Sequence, residues 1–428
     1  MNRQVLSLLV LFGGIFLGVD VAVAIGAAAL VGFLLLGSEF TMLLADKFAE
    51  GLDSFPFLAI PLFILAGKIM TRGGIARHLV QVLLLAMGGV PGGMGPLTML
   101  STFVLSGVCG SASADTAAIG AVTIPEMRRR NYPMPFAAAV TAAAGATGHL
   151  LPPSIDLIVV GVVANLSIGA LFLAGIIPAL LNLVSMIALS LAIAIYRRMP
   201  AERESRERWK QTLLNSLPAL VMPVIILGGI RAGLFTPTEA ACVAVVYGAL
   251  VSLFVYGELR VRELPTLMVE ACQATGAVLF VLGMANALSF LFSFEQVPQA
   301  ISAFIRVHAT STFEFLLIVN VIFLGVGMVM DALPALIVLM PILVPLAERF
   351  GLNPIHFSVI VLANVGLSFI HPPAGLCLYI SAAIARIDIW RATKAIVPFF
   401  LALLALLVAI AAIPELTLWL PRRYGLIR

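Results

Sequence analysis

Apolar runs, many close to the roughly 17 to 25 residues that cross about 30 Å of hydrocarbon, alternate along this chain with short polar or glycine- and proline-rich interruptions. Residues 5–18 and 21–36 are two such runs, parted at Asp20. A more polar interlude follows over 38–53, with Glu39, Asp46, Lys47, Glu50 and Asp53. FPFLAIPLFILAGKIM (55–70) predicts a membrane helix, with Lys68, Arg72 and Arg77 towards and beyond its end. Residues 76–89 are weakly amphipathic and VPGGMG (90–95) breaks them, which predicts an interfacial or re-entrant connector. Residues 171–196 predict a full crossing, and the chain as a whole about ten crossings plus shorter, broken ones.

Two interruptions stand out because they fall inside apolar sequence. SGVCGSASADTAAIG (106–120) and GATGHLLPPS (145–154) bracket a basic cluster at Arg128, Arg129 and Arg130. In lipid an unsatisfied peptide group costs several kcal/mol, so broken backbone survives only where it is buried in protein or lines a polar cavity. The first predicts a hairpin too short to cross twice, running in over 97–108 and out over 117–127. The second predicts a discontinuous helix resumed over 155–165.

The same punctuation recurs 220 residues on: Pro125 with Pro345, Pro152 with Pro372, Pro153 with Pro373, Pro178 with Pro398, and Gly107 with Gly327. The second hairpin is GVGMVMDALPA (325–335) and the second break NVGLSFIHPPAG (364–375). Between the halves lies RRMPAERESRERWK (197–210), the strongly charged linker, which the positive-inside tendency places in the cytoplasm. Arg260, Arg262, Arg386, Arg391 and Lys394 then share its side. Three arginines follow the first hairpin, whereas Arg349 alone follows the second. The two units are thus expected to be inverted, as in secondary transporters with discontinuous helices near the midplane. The division expected is 1–95 scaffold helices and connector, 96–196 first transport repeat, 197–212 linker, 213–310 second scaffold part, and 311–428 second transport repeat with a final helix.

Composition agrees with a polytopic, all-α membrane protein: 61% of the 428 residues are hydrophobic and 11% charged, against about 25% charged in soluble domains. A net charge of +4 with no basic-aromatic patch gives no sign of nucleic acid as a partner. Cys109, Cys242, Cys272 and Cys377 stand singly in apolar sequence, which predicts buried small hydrophobes rather than a metal or disulfide framework. Arg3 before an apolar run resembles a signal peptide, but no clear cleavage site follows, so an uncleaved helix is expected.

The chemistry concentrates at the breaks. Ser106, Ser111, Ser113 and Thr116 cluster at the predicted first hairpin tip. Hydroxyls and freed carbonyls suit a hard cation, and amides at a helix start suit a carboxylate; tight helix packing by small residues is the competing explanation. Pro152 and Pro153 remove two donors and free upstream carbonyls, and Ser154 is placed to cap the resumed helix. Asp331 is an intramembrane acid, hence a functional candidate, and also a possible N-cap for the return leg. His149, Asp156 and His371 flank the two Pro-Pro breaks; they are candidates for reading the substrate, against ordinary interhelical hydrogen bonding. TPTEA (236–240) needs no chemistry, since Thr236 or Thr238 as cap, Pro237 near the first position and Glu239 in the first turn form a helix start.

Together FPFLAIPLFILAGKIM, SGVCGSASADTAAIGAVTIPEM, LPPSI, LFLAGIIP, GLFTPTEAACVAVVYG, PILVP and HPPAG resemble the large membrane subunit of the tripartite ATP-independent periplasmic (TRAP) transporters, the DctM family. The resemblance spans nearly the whole chain. It implies an elevator-type fold with inverted repeats and two re-entrant hairpins, a multi-pass protein of the bacterial inner membrane, and Na+-driven import of an organic acid. It also implies two partners, a periplasmic substrate-binding protein and a small membrane subunit. On matching positions, a first Na+ site involves Ser106, Ser111, Gly145, Gly148 and Pro152. A second involves Gly325, Gly327, Gly366, Ser368 and residues before Pro372, with Asp331 a further candidate. Ser113, Thr116, His149, Ser154, Asp156 and His371 are the expected substrate contacts. Within the family pattern a Thr commonly stands at His371, a Pro or other non-titrating residue at His149, and an apolar one at Asp156. Other readings stay open: a channel, proton coupling through Asp156, His149 or Asp331, and an intramembrane hydrolase using Ser154 with His149. The Pro-Pro break between the last two gives that enzyme no nucleophile–base geometry.

Overall fold

The computed structural model describes residues 3–17, 19, 21–37, 40–75, 77–78, 92–109, 111–199, 209–231, 234–297, 299, 303, 309, 311–327, 332–371 and 375–427. Among them are eighteen α-helices and no strand. In chain order they are α1 (Arg3–Phe16), α2 (Val21–Leu36), α3 (Thr41–Glu50), α4 (Ala59–Arg72), α5 (Met94–Cys109) and α6 (Ala112–Arg129). Next come α7 (Met134–Gly148), α8 (Ile155–Val163), α9 (Ile168–Tyr196), α10 (Trp209–Arg231), α11 (Pro237–Leu250) and α12 (Leu264–Phe294). The last six are α13 (Thr312–Gly327), α14 (Ala332–Arg349), α15 (Pro354–Ser368), α16 (Leu376–Ala385), α17 (Ile389–Ala412) and α18 (Glu415–Arg423).

The repeat is written into the helix bounds. Moved on by 220, α6 and α7 coincide at both ends with α14 and α15, and α8 and α9 begin one residue before α16 and α17. Pro125 and Pro345 lie inside the return legs α6 and α14, Pro178 and Pro398 inside α9 and α17. The two units run opposite ways. Arg128, at the foot of the first hairpin, donates to the carbonyl of Ala385, just before α17 begins. The second hairpin ends at Arg349; α15 starts five residues further on, and its His356 bonds Thr417, just past the far end of α17. The hairpins therefore enter from opposite ends of a 24-residue helix.

Six helices among the described residues are long and apolar enough to cross a membrane: 55–72, 168–196, 213–230, 237–255, 261–294 and 389–412. Five further apolar helices are shorter, and four of them, 94–106, 312–327, 354–368 and 376–385, end or start at a hairpin tip or a break. At 31 residues α12 spans about 46 Å, more than the hydrocarbon thickness, so it lies tilted or extends into the interface. Local signals explain the starts. Thr236 and Glu239 form a reciprocal capping box ahead of α11, and the Asn353 side chain accepts from the Ile355 and His356 amides.

At the centre sit the two half-helices that precede the breaks. Every residue of α7 from Phe136 to Gly148 is buried, as is α15 from Ile355 to Ser368 apart from Ala363. The alanine and glycine content of α7 lets α5, α6, α16 and α17 approach it on all sides. One hydrophobic core runs through both repeats. A smaller one, with Met70, Met222, Ile226, Ala244 and Val251, ties α4 to α10 and α11.

Two local expectations are corrected. Ser154 stands at the N-cap position of α8 with extended backbone, but its side chain makes no cap bond. Cys242 and Cys272 are exposed, facing outward from their helices, and only Cys377 of the described cysteine side chains is buried.

Candidate functional site

The first hairpin turns earlier than its sequence suggests. Because α6 starts at Ala112, Ser113 and Thr116 lie on a helix rather than in the turn, and Ser111 is its N-cap, accepting from the Ala114 amide at 3.4 Å. Ser106, near the end of α5, donates across the hairpin to Asp115 Oδ2 at 2.6 Å. Both are almost fully buried, at 0% and 1% exposure. This short bond couples the two legs of the hairpin.

The hairpin is seated on α7 through two glycines three residues apart. A Cβ at Gly148 would lie 2.0 Å from Ser106 Oγ, and one at Gly145 1.9 Å from Thr116 Oγ1. Only hydrogen fits at either place, so the glycines set how deeply the hairpin sits. Thr116 itself donates to the Ala112 carbonyl at 2.7 Å. In the second unit the same contact recurs with the partners exchanged: a Cβ at Gly327 would meet Ser368 Oγ at 2.4 Å. Gly366 is closed in by His149 Cε1, 2.2 Å from its would-be Cβ, while Gly325 has open space. Asp331, Pro372 and Pro373 lie outside the described residues.

A cavity of about 790 Å3 lies between the first hairpin and α8 on one side and α4 and α12 on the other. Ser111, Ser113, Asp115 and Asp156 line it from the first unit; Leu333 and Phe369 are the second unit's apolar share. On the α4 and α12 side, Lys68 and Arg72 of α4 meet Glu270 and Glu263. Lys68 Nζ is 3.2 Å from Glu270 and Arg72 Nε 3.5 Å from Glu263. The Arg72 side chain is 68% exposed, so this end reaches the surface.

Of the expected substrate contacts, the cavity wall includes Ser113 and Asp156; Thr116, His149, Ser154 and His371 stand off it. His149 is buried with Nε2 2.7 Å from the Leu362 carbonyl and Nδ1 3.0 Å from that of Ala146, and its ring meets Phe369 edge-on. A neutral imidazole has one N–H to give, so one of these carbonyls is its acceptor. It bridges the two broken helices. His371 packs edge-on against Phe400 at 5.4 Å. Ser154 Oγ is buried and has no hydrogen-bond partner among the described residues.

Asp115, Lys68, Glu263 and Glu270 were not singled out from sequence as site residues. The rule that marks Asp331, an ionisable residue in apolar surroundings, applies equally to Asp115. The α4–α12 ion pairs join residues about 200 apart and leave no local signal. Among the described residues no three His, Cys, Asp or Glu side chains gather as a transition-metal site would require. The oxygens present are hydroxyl, carboxylate and carbonyl.

Inverted hairpins seated on broken helices beside a charged cavity define a membrane transport protein. The chain belongs to the family of the tripartite ATP-independent periplasmic transporter, DctM component, whose model matches residues 8–416. It is 35% identical over 404 residues to the C4-dicarboxylate TRAP transporter large permease protein DctM of Pseudomonas aeruginosa, covering 94% of this chain and 95% of that one. It is 32% identical over 413 residues to the sialic acid TRAP transporter large permease protein SiaM of Vibrio cholerae, covering 96% and 97%. Its fold is similar to that of the Alcanivorax borkumensis YdaH transporter, with TM-score 0.63 at 14% identity over 96% of this chain and 98% of that one. The protein is a multi-pass transporter subunit, not an enzyme.

Proposed function

We propose that this permease imports an organic acid into the cell across the bacterial inner membrane, driven by Na+ and moving its site by an elevator displacement. The observation that carries the reading is the position of the cavity. It lies at the boundary between the body built from both repeats and the α4–α12 face, where sliding one past the other would carry a bound molecule across. Its open end, at Arg72 and Glu263, adjoins Arg77 and Glu258, which pair with each other, and the basic residues Arg260 and Arg262. By the positive-inside tendency that face is cytoplasmic, which makes this an inward-open state.

The donor set fits a hard monovalent cation. Ser106, Asp115 and the carbonyls released before Pro152 in the first unit, with Ser368 and Gly327 in the second, offer oxygens and no soft ligand. A cation held there would fix the hairpin tip, and the fixed tip would present the Ser111–Ala114 helix start to a carboxylate. The relatives named for C4-dicarboxylate and sialic acid support an organic acid as cargo. The word tripartite in the family description supports a binding protein in the periplasm and a small membrane subunit as partners.

Uptake into proteoliposomes, driven separately by a Na+ gradient and by a pH gradient, tests this. Accumulation is expected under the Na+ gradient alone; accumulation under the pH gradient alone would favour proton coupling instead.

A further inference from the structure

Away from the transport cavity, a smaller pocket of about 160 Å3 opens between α7, α9 and α17, at the end of the molecule where α9 runs into the charged linker. By the positive-inside tendency that end is cytoplasmic. Phe136, Ile193 and Pro398 give the pocket apolar surface, and Arg197 and Lys394 line it as cations. Both cations are exposed, and among the described residues neither side chain makes an ion pair or a hydrogen bond. Pro398 has no N–H to give to the Lys394 carbonyl four residues back, so that carbonyl lacks its helical donor.

The counterpart of this pocket in the inverted repeat is closed by protein. At the offset of 220, Phe136 corresponds to His356, Arg197 to Thr417, Lys394 to Ala174 and Pro398 to Pro178. There His356 bonds Thr417 at 2.8 Å, α18 packs on α9, and Ala174 and Pro178 are buried. The place that α18 covers at one end is open at the other, and its lining there is basic.

The surroundings point to what fills it. Arg198, Arg386 and Arg391 stand at the same end, while the acids of the same loops are engaged: Glu126 pairs with Arg129 and Arg130, and Asp388 accepts from the Trp390 amide at the start of α17. Tyr196 and Trp390, 89% and 61% exposed, mark the level of the lipid headgroups, where amphipathic rings collect. Further into the membrane, α9 and α17 turn Val184, Val397 and Leu401 outward. A basic pocket at headgroup level above an apolar face is complementary to an acidic lipid of the cytoplasmic leaflet.

We propose that this pocket binds one anionic phospholipid, whose phosphate lies between Arg197 and Lys394, whose headgroup hydroxyl donates to the Lys394 carbonyl, and whose chains run along α9 and α17. The lipid fastens the end of α9 in the first unit to the start of α17 in the second, as α18 fastens the opposite end.

The test uses the delipidated complex of permease and small subunit in detergent, with phosphatidylglycerol, phosphatidylcholine and inorganic phosphate as probes, read by native mass spectrometry and melting temperature. Phosphatidylglycerol is expected to bind about tenfold or more tighter than phosphatidylcholine and to raise the melting temperature, while inorganic phosphate does not raise it. The preference should disappear in Arg197→Ala/Lys394→Ala and weaken in Lys394→Gln, which keeps a long side chain at that place. It should persist in Arg260→Ala/Arg262→Ala, which removes equal charge from the same membrane face; size-exclusion profiles show whether each variant is folded. Equal binding of the two lipids, equal losses in the two double variants, or stabilisation by inorganic phosphate as large as by phosphatidylglycerol overturns the lipid site. So does a preference that is absent from the unmodified protein and emerges once Glu202, Glu204 and Glu207 are changed to glutamine, since the linker is then the occupant.

Discussion

The two repeats share a skeleton and divide the chemistry. Their hairpin return legs and the helices leading into the breaks coincide residue for residue at an offset of 220. In each, a serine fills the space over a glycine between hairpin and broken helix. In the first unit the serine is on the hairpin, Ser106 over Gly148; in the second the glycine is on the hairpin, Gly327 under Ser368. Yet among the described residues the polar part that the repeats give to the cavity wall comes from the first unit. At the offset of 220, Asp115 and Asp156 correspond to Ala335 and Leu376, and His149 to Phe369, the very ring it touches. Duplication thus conserves the way a hairpin docks, while side chains at the cavity are free to diverge.

The largest effect should come from disturbing that docking. Gly148→Ala forces a Cβ into Ser106, a clash expected to cost about 1–3 kcal/mol where it cannot relax, and uptake should fall close to background. If Gly148→Ala transports normally, docking is looser than the structure indicates.

Next in size is Asp115→Asn. It alters the acceptor of the buried hydrogen bond from Ser106, a change expected to cost about 1 kcal/mol or more. Apparent Na+ affinity in uptake assays should drop by tenfold or more, whereas Ala335→Asn at the corresponding place in the second unit should change it much less. Equal losses at both positions would erase the asymmetry between the units.

His149→Ala ranks third. The loss of its buried bond to a backbone carbonyl and of its packing on Phe369 should lower stability by about 1–3 kcal/mol. Since the ring stands off the cavity wall, apparent cargo affinity in the folded variant should change less than twofold. A large loss of affinity with unchanged melting temperature would return His149 to a substrate-reading role. The smallest effect is expected for Lys68→Met: a part-exposed ion pair with Glu270 contributes about 0–1 kcal/mol to stability, measurable by a double-mutant cycle with Glu270→Gln.

What could be read from the chain follows the same division. Prolines within apolar helices are costly, so Pro125, Pro178 and their partners at Pro345 and Pro398 are visible landmarks, and they revealed the register of the repeat. The serines of the first hairpin and the glycines before Pro152 fall where hairpin and broken helix meet, Ser106 on Gly148 and Thr116 on Gly145. Contacts between distant segments were not legible: nothing near His149 signals Leu362, and nothing near Lys68 signals Glu270. Ser154 shows the limit of a local rule, since it holds the cap position without making the cap bond. Asp115 was hidden in plain view among small residues whose evident purpose is packing.

The most direct test of the account places a single cysteine on the first unit's cavity wall, Ser113→Cys in a background free of native cysteines. Its reaction with a membrane-permeant thiol reagent is followed with and without the transported acid, in Na+ and in K+. Protection by the acid in Na+ but not in K+ is the predicted result if, as proposed, the cation fixes the hairpin tip before the acid occupies the cavity. Equal protection in both salts, or none in either with transport intact, would contradict it.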